Sequence, residues 1–303
     1  MRPLIALTVG DPAGIGPELV QIALRDPDVA AAMRLVVVGP QACRPEALGD
    51  HDWRVTEGPT HWRMGRAQRE CGLAVLAALR AGVEEVTAGA AALVTGPACK
   101  EALHLAGERV EGQTELLARW AGTGERAQMV GISGELRVML LTRHLPLREA
   151  LARVTPELVL ERLHLFDAAL RSVGIPSPRL ALAGFNPHAG ESGLLGSEDG
   201  DLLGPAVATA RREGLDVTGP RSPDTVFLEG SRGRWDGVLA LYHDQGFVPL
   251  KLLSEGRGLT WIAGLPYLRL SPVHGTAFDI AGKGQADPTN LLHTLHMAVD
   301  WTR

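Results

Sequence analysis

Three histidines follow apolar, strand-like runs directly: His144 in LLTRHLPL, His188 in GFNPHAGE and His243 in LALYHDQG. Ends of buried strands are where α/β folds collect their reactive groups, so convergence there would build an active-site rim. Three neutral imidazoles can hold a divalent ion and leave coordination positions for substrate oxygens. A bound alcohol then loses its proton more readily, and a developing carbonyl oxygen is stabilised. The sequence separations are long, so a second reading, with separate structural or acid–base roles for the three rings, stays open. Asp244 beside His243, and Glu191 three positions after His188, are placed to orient rings or to cap loops.

Cationic side chains suggest the other half of the chemistry. Lys100 in TGPACK, Lys251 after the Asp244–Gln245–Gly246 turn, and Arg269 after GLPYL suit a phosphorylated substrate, with solvated surface positions as the alternative. Lys100 and Asp224, in the SPDT loop, are the candidates for proton transfer, against orienting or structural roles. Cys99 has no sequence-local base to make it a nucleophile.

Two glycine-bearing loops invite anions. In GDPAGIGPE, Gly14 and Gly16 permit close backbone approach and Pro17 is preorganised for a helix start. The stretch is either a structural turn or an anion site, and it is not the GxGxxG dinucleotide fingerprint. In SPVHGTAFDIAGKGQAD, Thr276 is expected to help cap the final helix and Asp279 to satisfy loop amides, with a cofactor contact as the other reading.

The elements that must hold these groups alternate. LIALTV reads as a strand, PELVQIALRD as a helix, RLVVVG and AALVTGP as strands, and LALAGFNPHAG precedes a helical stretch ending ATARREG. Near-continuous apolar strands alternating with amphipathic helices indicate an α/β layer fold with much parallel sheet. MVGISGELRVMLLT instead predicts a local antiparallel ribbon turning at Gly134–Glu135, hence a mixed sheet. Thr155 and Pro156 open a helix that Gly174 stops. The terminal LLHTLHMAVDWTR is expected to be helical and to pack back on the opening domain.

Composition excludes several classes. The chain has 303 residues, 45% of them hydrophobic and 21% charged, which is ordinary for a globular protein of one large or two smaller domains. A formal charge of -5 with no Lys/Arg-rich tract argues against a nucleic-acid partner. No apolar run approaches the roughly 20 residues of a membrane span, and the N-terminus lacks a signal-peptide pattern. Cys43, Cys71 and Cys99 form no CxxC pair, so a cytoplasmic location is expected.

Taken together, GDPAGIGPE, ALVTGP.CK, GQTE, RHLPL, GFNPHAGE, YHDQG..P.K and GLPYLR.SP.HGTA.DIAGKG.AD, spread over residues 10–287, resemble the 4-hydroxythreonine-4-phosphate dehydrogenase family of vitamin B6 synthesis. The resemblance implies a two-domain α/β/α architecture like that of isocitrate and isopropylmalate dehydrogenases, with a mixed sheet and an active-site cleft between domains. It implies a discontinuous first domain at 1–115 and 265–303, and a second at 116–264 carrying the metal-site histidines and dimer contacts.

It further implies a homodimer with shared active sites, NAD as cofactor, and a divalent ion (Zn, Mg or Co) on His144, His188 and His243, the last from the partner chain. Gln113, Thr114, Lys251, Thr260 and Arg269 would contact substrate. Gln113 stands where the family commonly has histidine, Thr260 where it usually has asparagine, and Cys99 where histidine or asparagine is frequent. The implied reaction is oxidation of 4-phosphooxy-L-threonine followed by decarboxylation. The alternatives are a related sugar-acid phosphate such as threonate or erythronate 4-phosphate, and a noncatalytic metabolite sensor on the same scaffold.

Overall fold

The computed structural model describes residues 2–255 and 257–302. The chain forms two compact units, Met1–Ala127 with Leu259–Arg303, and Gln128–Gly258. The first unit opens with β1 (Leu4–Thr8), α1 (Gly16–Ala23), α2 (Pro27–Ala32), β2 (Arg34–Pro40) and β3 (Asp52–Thr56). It continues with α3 (Arg69–Thr87), β4 (Ala92–Thr95), α4 (Lys100–Leu105) and α5 (Gln113–Trp120). The second unit begins with β5 (Gln128–Ser133), β6 (Leu136–Leu140), α6 (Leu147–Ala152), α7 (Pro156–Ser172) and β7 (Arg179–Ala183). It ends with α8 (Gly204–Arg212), β8 (Asp216–Arg221), α9 (Val226–Ser231), β9 (Gly237–Ala240) and α10 (His243–Ser254). The chain then re-enters the first unit with β10 (Leu259–Ala263), β11 (Arg269–Pro272) and α11 (Thr289–Asp300).

In the first unit the strands run in the order β3-β2-β1-β4-β11-β10. All neighbours are parallel except the antiparallel β10–β11 pair. Helices cover parallel strands on both faces, which is why β1 and β4 are apolar almost without interruption. The last helix, α11, packs on α1, α2, β1, β4 and β11, as its apolar face requires.

The predicted division at 115/116 and 264/265 is displaced by packing. Leu116 of α5 is buried with Val75, Leu79 and Leu103, and Leu117 with Ala127 and Ile262. Each such side chain contributes about 1.5–3 kcal/mol by burial, so α5 and β10 stay with the first unit.

The second unit orders its strands β5-β6-β9-β7-β8. The β5–β6 hairpin is antiparallel, with Ser133 opposite Leu136 across the Gly134–Glu135 turn, and the rest is parallel. Its core joins Leu136, Val138 and Leu140 to Val226, Val238 and Phe247. The Thr155 hydroxyl accepts from the Leu158 N–H (3.2 Å) to cap α7, and Gly174 ends that helix region at φ 91°. Among the described residues, no helix is long and apolar enough to cross a membrane.

Candidate active site

The second unit carries all three candidate histidines. Because β6, β9 and β7 are adjacent and parallel, the loops leaving their C-terminal ends share one edge of the sheet. His144 lies four residues beyond β6, His188 five beyond β7, and His243 opens α10 three beyond β9. The rings of His144 and His243 have centroids 5.7 Å apart. His243 stacks on Phe247 at 5.0 Å and 9°, and its Nδ1 is 2.7 Å from Asp244 Oδ1. Among the described residues, the donor atoms of the three histidines do not all lie within 4.8 Å of one another.

Backbone conformation sets the positions of two of these rings. His144 (φ 44°) and His188 (φ 53°) are both left-handed, and Ala189, Gly190, Glu191 and Ser192 continue the second run at φ 54°, 79°, 43° and 58°. For a non-glycine residue this costs about 1–2 kcal/mol. Asp224, exposed and hydrogen-bonded by the Ser222 hydroxyl, is held below the ordinary carboxylate range by that bond, with a smaller lowering effect from His188.

Arg269 organises the first unit's polar centre. It opens β11, is 3% exposed, and sends Nη2 to Thr95 Oγ1 (2.5 Å) and Gln113 Oε1 (2.9 Å). The Gln113 amide donates in turn to the Gly96 carbonyl (2.9 Å). Arg269 Nε is buried without a hydrogen-bond partner, and burial pushes the guanidinium down to about 10, still charged at neutral pH. The solvated surface reading of Arg269 is therefore corrected: this cation is buried and hydrogen-bonded to neutral groups.

Thr260 lies on β10 opposite Ser271, their hydroxyls 2.8 Å apart, and Thr114 is buried on α5. Lys100 opens α4 and Lys251 lies within α10, both exposed. Lys251 thus projects from a helix one to two turns beyond the Asp244–Gln245–Gly246 segment, which is itself helical.

The glycine-rich loops resolve differently from each other. A Cβ on Gly16 would meet the Val9 carbonyl at 2.0 Å, and one on Gly14 would meet Thr276 at 2.9 Å. These glycines let the chain pack on itself, and the Ala13, Gly14 and Ile15 N–H groups are bonded to Asp11 and the Thr276 carbonyl. Thr276 does not cap α11; its carbonyl accepts from the Ile15 N–H (3.0 Å), and the Asp287 carboxylate receives the Thr289 N–H at 2.9 Å. Asp279 meets Lys283 Nζ through its carbonyl at 2.7 Å. In the 273–288 loop, built Cβ atoms at Gly275 and Gly284 meet nothing within 4 Å, which leaves backbone open to a ligand.

Sequence reading missed Asp11. Its side chain is fully buried, accepts from the Ala13 N–H at 2.9 Å, and is pushed up to about 6 by desolvation against backbone hydrogen bonds from Ala13 and Cys99. The signal was present, since an aspartate between Gly10 and Pro12 is suited to an Asx turn.

By type, three imidazoles suit a divalent ion. The Asp244 carboxylate takes His243 Nδ1, so Nε2 is the ring's remaining donor atom, as in the carboxylate–histidine arrangement of metal sites.

A sequence model described as pyridoxal phosphate biosynthetic protein PdxA matches residues 20–298. A 4-hydroxythreonine-4-phosphate dehydrogenase of Desulforapulum autotrophicum is 38% identical over 98% of this chain and 95% of its own. A D-threonate 4-phosphate dehydrogenase of Salmonella typhimurium is 40% identical over 97% of this chain and 98% of its own. The crystal structure of a 4-hydroxythreonine-4-phosphate dehydrogenase from Klebsiella pneumoniae superposes with a TM-score of 0.87 at 38% identity, covering 99% and 100% of the two chains. Isocitrate dehydrogenase from Methylococcus capsulatus shares the fold alone, with a TM-score of 0.52 at 17% identity over 98% of this chain and 85% of that one.

Proposed function

The chain belongs to the pyridoxal phosphate biosynthetic protein PdxA family, and from that premise we propose that it oxidises 4-phosphooxy-L-threonine with NAD as hydride acceptor. The product, 2-amino-3-oxo-4-phosphooxybutanoate, is a β-keto acid that loses its carboxylate to give 3-amino-2-oxopropyl phosphate. The observation that carries a phosphorylated substrate is Arg269: a buried guanidinium whose hydrogen bonds go to the neutral Thr95 and Gln113, with Glu115 acting on it as a nearby negative charge, is costly unless an anion completes it.

His144, His188 and His243 would hold the divalent ion, zinc, magnesium or cobalt, which supplies Lewis acidity toward the hydroxyl being oxidised and the carbonyl that replaces it. Bound NAD would supply the hydride acceptor. The chain's own residues do the rest. Arg269, with Gln113 and Thr114 at the start of α5, anchors the phosphate end, and Thr260 adds a hydroxyl beside it. Lys251 adds a cation to the proposed substrate-binding set.

The open backbone of the 273–288 loop is the proposed contact for NAD. Asp224, a weakened base, suits orienting His188 better than taking a proton, which leaves Lys100 as the candidate proton acceptor.

A homodimer is proposed from exposed apolar side chains of the second unit: Val248, Leu252 and Leu253 on α10, with Leu194 and Leu195. The free thiols of Cys43, Cys71 and Cys99 support a cytoplasmic setting.

One observation favours a second substrate. Gln113 presents a neutral amide to Arg269 where an imidazole would bring a group that can titrate, and a similar relative is named for D-threonate 4-phosphate. A panel of 4-phosphooxy-L-threonine, threonate 4-phosphate and erythronate 4-phosphate, read by NADH formation with a controlled divalent ion, decides. Fastest turnover of the amino acid phosphate is expected. Faster turnover of a sugar-acid phosphate overturns the substrate assignment, and no NADH from any member turns the reading toward a sensor.

A further inference from the structure

The geometry points to Asp199 and Gln245 as positioning residues that hold the His188 loop and the His243 helix at one edge of the sheet, each where it can ligate an ion. The inference rests on the metal reading above. Hydrogen bonds join the three strand ends that bear the histidines. Between β6 and β9, the Leu141 N–H donates to the Ala240 carbonyl (2.7 Å), and the Thr142 hydroxyl to the Leu241 carbonyl (2.8 Å). Between β9 and β7, the Gln245 carbonyl oxygen accepts from the Leu241 N–H (2.7 Å) while its amide donates to the Gly184 carbonyl (2.8 Å).

Asp199 completes the frame. It is 2% exposed, its Oδ1 accepts from the Phe185 N–H at 2.7 Å, and its Oδ2 accepts from the Asn186 N–H at 2.9 Å. The Asn186 amide is held by Glu198 at 2.8 Å.

The physical logic lies in the strain beyond. Strand β7 stops at Ala183, so the N–H groups of Phe185 and Asn186 have left the ladder and need acceptors. A buried carboxylate must also fill its lone pairs, and charge-assisted bonds to two successive amides answer both demands. Two residues later the chain enters the left-handed run His188–Ser192. Such a conformation persists only where its surroundings over-determine it, and the Asp199 clamp sits at the entrance to the run. Gly190 lies against the same carboxylate, a built Cβ being 3.4 Å from Asp199 Oδ2.

A carboxylate of the same kind serves as control. Asp236 accepts the Arg179 N–H (2.7 Å) and its guanidinium (3.0 Å) just before β9, at the strand ends opposite the histidines. Zinc is titrated calorimetrically into the metal-stripped full-length chain and into Asp199→Ala, Asp199→Asn, Gln245→Leu and Asp236→Ala, each with a melting curve. The expected result is zinc affinity weakened at least about tenfold in the Asp199 and Gln245 variants. NADH formation in those variants is restored by excess ion, while Asp236→Ala melts lower with zinc affinity unchanged.

If Asp199→Ala does not fold, Asp199→Asn and Gln245→Leu decide. Wild-type affinity in both overturns the inference alone, as does an equal loss in Asp236→Ala. No zinc binding by the unaltered chain sinks the metal reading and the inference with it.

Discussion

Arg269 in the first unit is almost fully buried and leans on a threonine and a glutamine, whereas His144 and His188 in the second unit stand exposed on left-handed backbone. The first unit stores its cost as desolvated charge. The second stores it as backbone strain. Buried charge makes a site strong toward one complementary ion, because the low dielectric amplifies whatever charge completes it. Strained loops place rings at angles that regular structure does not offer, and they leave those rings accessible.

The contrast is broken most sharply at Arg269. Arg269→Met removes a buried charge that, on the proposed reading, is costly without substrate and indispensable with it. We expect kcat/KM to fall by roughly 10²–10³-fold, about 3–4 kcal/mol, while the melting temperature holds or rises. Steady-state kinetics and calorimetric melting on the same preparation check this, and a parallel collapse of both quantities would make Arg269 a structural residue.

A smaller effect separates strain from chemistry at His188. His188→Ala and His188→Gly should both lose metal binding and NADH formation. The glycine variant should be the more stable of the two by about 0.5–1 kcal/mol, because glycine enters the left-handed region without steric cost. Equal denaturation midpoints would show that φ 53° at this position is not strained.

An effect of intermediate size concerns the first unit's other buried charge. Burial raises the Asp11 carboxyl from 3.8 to about 6, so the folded chain holds that proton more tightly than the unfolded one. The resulting stability is complete below about pH 4 and is lost as pH rises through 6. Asp11→Asn should therefore exceed the native chain by about 2–3 kcal/mol at pH 8, with the gap closing toward pH 4. Melting temperatures across that range test it, and a gap that widens on acidification would reverse the assignment.

The strands that carry the histidines were legible because a buried strand must be apolar and its end must turn. The β5–β6 hairpin was legible because Gly134–Glu135 interrupts two β-like runs. Arg269 was legible as a cation but not as a buried one, since its burial is made by β4 and α5, which lie far away in sequence. Thr276 was misjudged for a related reason. Its composition speaks of turns, and only the fold brings its carbonyl to Ile15. Asp199 carried no local signal, because what it satisfies is the backbone of a loop that precedes it by thirteen residues or more.

The return of the chain to its first unit has a consequence for biosynthesis. Strand β11 inserts beside β4, so Thr95 waits through the synthesis of 173 further residues before Arg269 arrives to meet it. On the ribosome, β4 has an unfilled edge for that whole interval, while the second unit has every one of its own strands available to fold earlier. The proposed anion anchor is thus among the last features a nascent chain acquires, and a product truncated before Arg269 can carry all three histidines yet lack it.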